Sequence, residues 1–515
     1  MTAMNRLLKS YPSVGLTIGF SFLLLMAGQA RSQEAPARPR PTAPELEGGT
    51  DWLNTPKAIK LKDLKGKVVL LDFWTLCCIN CIHTLPDLAK LEAKYPKELV
   101  VIGVHSPKFD NEKSTESIRK ALARYEVRHP VINDAERKIW EAYQVDAWPT
   151  LVLIDHEGKY VARGSGEGLY DAVDAAVQNL TKVAREKKAL DEKPFEYRPE
   201  ADNSSSPLRF PGKAINDPKT GTIFVADSTN HRVFAADAQG KVLWVTGNGK
   251  PGDADGNRET ARFNDPQGMA ILGGKLFVAD RKNHKIKTID LSTQTVETVA
   301  GTGIQGVDRM GGKQAIKTGL NSPWDLWPVG NRIFVAMAGF HQIWEFDTSS
   351  GSIKAFAGNG RETITDGPLA QSCFAQPSGL SSDGSRLFVA DSETSSVRVV
   401  DLNPEGKVST LVGTHLFRFG DKDGTGNDAL LQHALGVAWS GKQLFVADTY
   451  NGKIKVIDPA TRKCDTFIGG FNEPGGIWHF DGKLLIANTN AHEIVEVSIA
   501  DKSKRVIKFQ GLNRP

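Results

Sequence analysis

The chain has 515 residues, 64 Lys and Arg against 60 Asp and Glu, and 40% apolar content. This length allows two to four domains, and the composition excludes a disordered chain, a collagen and a multi-span membrane protein. A net charge of +4 is too small to point to nucleic acid, and five cysteines are too few for a disulfide-stapled scaffold.

From the N-terminus, Arg6 and Lys9 precede an apolar run, Val14 to Ala27. The run is shorter than the ~20 residues of a spanning helix. Ala27-Gly-Gln-Ala30 then offers small residues for cleavage after Ala30. Residues 1–30 therefore read as a secretory signal peptide. Export to a periplasm or the extracellular space is expected, with membrane attachment only if the peptide stays uncleaved. A Pro/Ala-rich spacer follows over residues 31–44.

Residues 45–190 alternate strand and helix patterns. Lys67–Trp74 and Leu99–Val104 are buried-strand runs, and Cys78–Tyr95, Glu112–Tyr125 and Asp134–Tyr143 have helical spacing. Thr150–Ile154 and Tyr160–Ala162 flank Glu157-Gly158, a hairpin signal. Val173, Ala176, Leu180 and Val183 mark a closing amphipathic helix. The alternation predicts an α/β domain. Residues 191–207 are polar, with Pro and Ser, and read as a linker.

From 208 to 515 the sequence repeats. A strand motif recurs at Phe224-Val-Ala-Asp, Phe277, Phe334, Phe388, Phe445 and Leu485. A second motif precedes each: apolar-x-x-Pro, usually followed by x-Gly, with Pro211, Pro266, Pro323, Pro377 and Pro474, and Ala434 in the fifth repeat. The two markers run in phase. With four strand candidates per repeat, they predict an all-β six-bladed propeller. The longer repeats carry their excess between a Gly and the next motif, as in Gly358–Gln376, and these loops are expected to share one face as a binding surface.

Chemistry concentrates at Asp72-Phe-Trp-Thr-Leu-Cys77-Cys78-Ile-Asn-Cys81. The strand ends at Trp74 and the helix begins near Cys78, so Cys81 lies one turn inside. A helix N-terminus stabilises a thiolate, which predicts a lowered Cys78 pKa and casts Cys78 as nucleophile. Cys81 then resolves the mixed disulfide, and Cys78–Cys81 is the redox disulfide. No second close Cys pair exists for a four-Cys zinc knuckle.

Asp72–Pro86 resembles the thioredoxin active-site strand and helix. The resemblance implies that Asp72 relays protons to the resolving thiol and that Pro149, in Trp148-Pro149-Thr150, is the cis-proline facing the cysteine pair. The wording FWTLCCINCIHTLPDL and the Val225-Ala-Asp-Ser-Thr-Asn-His231 repeats are similar to the NHL-repeat-containing protein 2-like family, and the first domain also to exported TlpA-like thioredoxins. Cys77 and the Ile79-Asn80 dipeptide depart from the common Trp-Cys-Gly-Pro-Cys.

Other residues are weighed against plainer roles. Cys77-x-x-x-Cys81 has the spacing of copper-delivering relatives, so a second reading lets Cys77 and Cys81 hold Cu(I), although His105 and His129 are not where that family places its histidine. His83 reads as a surface helix residue. His231, His284, His341 and His492 share one repeat position and read as consensus rather than a metal ring. Asp421-Lys-Asp423-Gly resembles a calcium loop but lacks the closing Glu. Cys373 and Cys464 read as packed thiols, and Arg281–Lys285 as a solvated basic turn. The reading is a thiol–disulfide oxidoreductase needing no bound cofactor. Its partners are a protein client with a thiol or disulfide and an electron-donor or acceptor protein, with no nucleic acid, and the propeller binds client or partner. The alternative is a protein-interaction scaffold with a non-catalytic thioredoxin-like domain.

Overall fold

The computed structural model describes residues 39–200 and 204–515, so the signal-peptide expectation and most of the spacer lie outside the described residues. The α/β part runs β1 (Asp51–Leu53), β2 (Val68–Trp74), α1 (Ile79–Lys94), β3 (Leu99–His105), α2 (Thr115–Tyr125), β4 (Val131–Asn133), α3 (Lys138–Ala142), β5 (Thr150–Ile154), β6 (Tyr160–Ser165) and α4 (Tyr170–Glu186). One sheet holds all six strands in the order β1-β4-β3-β2-β5-β6. Strands β2 and β3 pair in parallel and are buried along their whole length, which explains their unbroken apolar runs. Two strands were not foreseen and one helix differs from its expected length. Strands β1 and β4 are three residues each, too short to show a period. Helix α3 is shorter than the spacing suggests, because the Asp134 carboxylate accepts the N–H groups of Ile139 and Trp140 in place of a first helical turn.

The repeats form six sheets of four antiparallel strands, the six-bladed propeller expected. The innermost strand of the last blade, Pro474–Phe480, meets that of the first, Lys213–Asn216, through Gly476 N–H to Gly212 C=O at 3.0 Å. The C-terminus seals the same junction, since Val242 N–H donates to Gln510 C=O at 3.0 Å. Part of three of the long loops has an unforeseen use. In blades three to five it adds a fifth, outermost strand (Gly311–Gln314, Gly367–Pro368, Gly424–Thr425) that covers an edge.

The repeat consensus has a mechanical reason. The Asp closing each Phe-Val-Ala-Asp strand accepts a backbone N–H from the loop entering its own blade: Asn264 N–H to Asp280, Ala375 N–H to Asp391 and Gln432 N–H to Asp448. The residue four further on has a left-handed φ and reaches the next blade. His231, His284, His341 and His492 accept at Nδ1 from Asp265, Ser322, Gln376 and Phe210 N–H, the last joining blade six to blade one. Burial drives His284 down to about 3 and His341 to about 4, so these rings stay neutral acceptors. His492→Ala should therefore cost about 1–3 kcal/mol in urea unfolding, because the Phe210 N–H is left buried and unpaired. An unchanged midpoint would remove the latch role.

The Asp421 loop also takes the plainer reading. Lys455 Nζ sits between Asp421 and Asp423 at 3.0 and 2.7 Å, filling the place of a cation. Arg281 is buried on Asp265, so Arg281–Lys285 is no open basic patch. Cys373 and Cys464 are buried free thiols.

Candidate redox site

Strand β2 delivers Asp72 into the core and ends at Trp74, and the chain turns through Thr75–Cys77 into α1. Cys78 is the N-cap of that helix, and its Sγ accepts the Cys81 N–H at 3.2 Å. Cys81 and Asp72 are fully buried, Cys77 is buried and Cys78 half-buried. Both Asp72 carboxylate oxygens lack a hydrogen-bond partner among the described residues. Burial raises Asp72 to about 7, with the charge of His129 pulling the other way. Cys81 is pushed well above its ordinary value, by burial first and then by Cys78, with Asp72 adding to it. Pro149 is buried at the entry to β5, next to β2, and its bond to Trp148 is cis. The four residues singled out for redox chemistry thus lie on β2, at the start of α1 and at the start of β5, toward the end of the sheet where β2 finishes and β5 begins.

The lowered thiolate pKa is not what the geometry gives. Burial pushes the Cys78 thiol up, partly offset by the Cys81 hydrogen bond. The reason is the propeller, which covers the helix N-terminus. Gln376, in the loop entering blade four, accepts the Ile79 N–H at Oε1 (2.8 Å) and donates from Nε2 to the Cys77 carbonyl (2.9 Å). Lys108 Nζ bonds the Glu393 carboxylate at 2.5 Å. Phe109 packs against Phe419, His433 and Tyr450. His83 is no surface residue either: its ring reaches Ser322 Oγ of the propeller at 2.6 Å and, within its own domain, Glu167 Oε1 at 3.1 Å.

Sequence reasoning missed Glu112, which organises the cysteine loop. Its buried carboxylate accepts from Thr75 Oγ1 (2.7 Å) and from the N–H groups of Cys77 (3.1 Å), Lys108 (2.8 Å) and Phe109 (2.9 Å). His105, weighed above as a copper ligand, instead accepts the Leu76 N–H at Nε2 (3.3 Å). The copper reading paired Cys77 with Cys81. The ligating group around Cys77 instead consists of Glu393 and His433, both from the propeller, and does not include Cys81.

Comparison with known proteins agrees with both halves. A thioredoxin-like family model matches residues 66–160 and an NHL repeat model matches residues 263–288. The chain is 42% identical to Protein SUPPRESSOR OF QUENCHING 1, chloroplastic, of Arabidopsis thaliana, over 92% of this chain and 48% of that protein, so it spans about half of that relative's length. It is 40% identical to NHL repeat-containing protein 2 of Homo sapiens over 90% of this chain and 71% of the relative. It is 31% identical to thiol-disulfide oxidoreductase ResA of Bacillus cereus over 33% of this chain and 89% of that protein.

Proposed function

The chain belongs to the NHL repeat-containing protein 2 family, and on that premise we propose that it is a thiol–disulfide oxidoreductase whose propeller governs access to the cysteine pair. The observation that carries this reading is Cys78 capping α1 above Cys81, with a buried carboxyl, Asp72, held at about 7 on the strand beneath.

With the propeller cover moved aside, the Cys78 thiol gives up its proton and the thiolate attacks one sulfur of a client disulfide. An S–S bond forms to Cys78, the client's own bond breaks, and the departing sulfur leaves as a thiol after taking a proton. Cys81, its proton passed to Asp72, then attacks Cys78 Sγ. The client leaves reduced by two electrons, and the Cys78–Cys81 disulfide remains for an electron-donor protein to reduce. The same steps in reverse oxidise a client dithiol. A group near pKa 7 takes and returns a proton with little cost at neutral pH. His129, whose charge acts on Asp72, lines an open groove of about 550 Å³ beside α1 with Leu85, Pro86 and Tyr125, which gives that proton a way out. Pro149 shapes the client groove, and the pattern of residues 1–30 supports export to an oxidising compartment.

The test is the equilibrium reduction potential of the full chain, poised in glutathione and dithiothreitol. A reversible two-electron couple within the ~−270 to −120 mV range of thiol oxidoreductases, lost in Cys78→Ser, is expected. No Cys78-dependent couple would leave the scaffold reading.

The cover over Cys78 makes a separate prediction. Gln376→Ala removes two hydrogen bonds that hold the helix start under the propeller. At about 1 kcal/mol each, alkylation of Cys78 should quicken by roughly tenfold or more. Mass mapping of the labelled thiol reads this directly, and an unchanged rate would show that the propeller does not gate Cys78.

A further inference from the structure

We propose that Cys77, Glu393 and His433 form a metal site, shared between the thioredoxin-like domain and the propeller, that takes a borderline-soft divalent cation such as zinc. Their ligand atoms all lie within 4.8 Å of one another, and each residue is 3% exposed. His433 Nδ1 and Glu393 Oε1 stand 3.6 Å apart. That is long for a hydrogen bond. It is close to the roughly 3.4 Å edge expected between N and O donors of a tetrahedral zinc ion. Both atoms are fully buried, and neither has a nitrogen or oxygen hydrogen-bond partner among the described residues; the Cys77 thiol is the one donor close enough to act on the Glu393 carboxyl. Buried polar atoms in a native structure are seldom left in this state, and here two of them converge on one sulfur.

The surroundings fix all three donors. Glu393 gives its other oxygen, Oε2, to Lys108 Nζ, which leaves Oε1 for the cluster. The His433 ring stacks on Tyr450 with centroids 4.5 Å apart, and its backbone N–H donates to Ser395 Oγ. Cys77 is held on both sides, its N–H by Glu112 and its carbonyl by Gln376. Outer partners of this kind set ligand orientation in metal sites.

Charge favours a dication. Glu112 and Glu393 set two carboxylates against the one ammonium of Lys108. A divalent ion that displaces the Cys77 thiol proton brings the group to neutrality. One thiolate, one imidazole and one carboxylate suit zinc and leave a fourth position open, whereas a single hard oxygen does not suit calcium or magnesium. A bound ion would pin the propeller over the cysteine pair and withhold Cys77 from disulfide exchange. The site does not depend on the redox reading, because it uses neither Cys78 nor Cys81.

The experiment uses the full chain, stripped with a chelator and kept reduced with a phosphine, then titrated with Co(II) and Zn(II). One equivalent of zinc should bind, and Co(II) should show a thiolate-to-metal charge-transfer band that zinc removes. Cys77→Ser should abolish the band. Glu393→Gln and His433→Ala should each weaken binding by more than about tenfold, while Cys78→Ser should leave stoichiometry and band unchanged. Zinc should raise the thermal midpoint of the wild type but not of these ligand variants. Circular dichroism establishes that each variant is folded. If His433→Ala is not, the nearly isosteric Glu393→Gln decides. The proposal is overturned if no equivalent of metal is taken up, if the band follows Cys78 or Cys81, or if Glu393→Gln keeps full affinity. Zinc binding that survives Cys78→Ser in a protein without a redox couple would sink the oxidoreductase reading and leave this site standing.

Discussion

Asp72→Asn is expected to stabilise the protein at pH 8 by roughly 2–4 kcal/mol while slowing disulfide exchange by about a hundredfold. The two effects share one cause. Asp72 is fully buried on β2 with no hydrogen-bond partner for either oxygen among the described residues, so ionising it in the fold is costly, and burial raises it from 3.8 to about 7. The folded state therefore holds this proton more tightly than the unfolded state. Below about pH 4 both states are protonated and nothing is lost. As pH rises through 4 the unfolded chain releases its proton first, and stability falls until the folded carboxyl ionises near 7. Three pKa units correspond to about 4 kcal/mol, an upper bound because a water reaching the carboxyl would lessen the cost. Asparagine removes the titration and so removes the slope. It also removes the proton acceptor for Cys81, whose thiol burial pushes well above its ordinary value. Urea unfolding at pH 4, 6 and 8 checks the first half, and single-turnover release of a mixed disulfide checks the second. Wild-type and variant stabilities that run parallel from pH 4 to 8 would show that Asp72 ionises freely and is no poised proton carrier.

Cys78 and Cys81 stand out in the sequence because they sit where a buried strand gives way to a helix, whereas Asp72 and Pro149 are singled out only by the resemblance to thioredoxins. The six blades could be counted because two motifs kept phase over the repeats. The cover over the cysteines could not be read this way. Ser322, Gln376, His433 and Glu473 precede the recurring Pro or Ala, while Glu393, Tyr450 and Asn490 stand second after the Phe-Val-Ala-Asp strand or its variant. These two columns vary from repeat to repeat, so they look like noise beside the conserved letters. They are the columns that meet the α/β domain, as in His83 on Ser322, Gln376 on Ile79, Glu473 on Arg124 and Glu393 on Lys108. Each blade presents a different part of that domain, so each needs a different side chain. The same cover explains why a helix N-terminus did not give a lowered thiol pKa, since burial outweighs the dipole once the propeller lies over it. Glu112 was hidden for another reason. It lies just before a helix, where an acid is unremarkable, and only the fold turns it back onto the cysteine loop.

Asp325→Ala is expected to cost about 3–5 kcal/mol, the penalty for leaving a buried charge without its partner. The motif that opens each blade places Gly two residues after its Pro or Ala at Gly268, Gly379, Gly436 and Gly476, and the two exceptions are Lys213 and Asp325. In the structure the exceptions pair with each other. Lys213 Nζ bonds both Asp325 oxygens at 2.7 Å, and both residues are nearly inaccessible, at 3% and 4% exposure. The neighbouring glycines show why so little else fits. A Cβ built on Gly268 would lie 2.2 Å from Asp325 Oδ1, and one on Gly379 would lie 2.5 Å from the Leu435 carbonyl. Asp325 also accepts Leu326 N–H and, from the next blade, Leu380 N–H, both at 2.9 Å, so one carboxylate joins blades one, three and four. Alanine at 325 strands the ammonium and two N–H groups together, whereas Lys213→Met with Asp325→Leu removes both charges and should recover much of the loss. A double-mutant cycle in denaturant separates the pair's coupling from simple truncation, and additive single costs would show that the two charges do not interact. The consequence reaches the cysteines, because Leu380 lies in the blade whose entry loop carries Gln376 and whose second turn carries Glu393. A ring loosened at its axis should hold that blade less firmly over Cys78, so the Asp325→Ala protein should also alkylate Cys78 faster, in step with its lost stability.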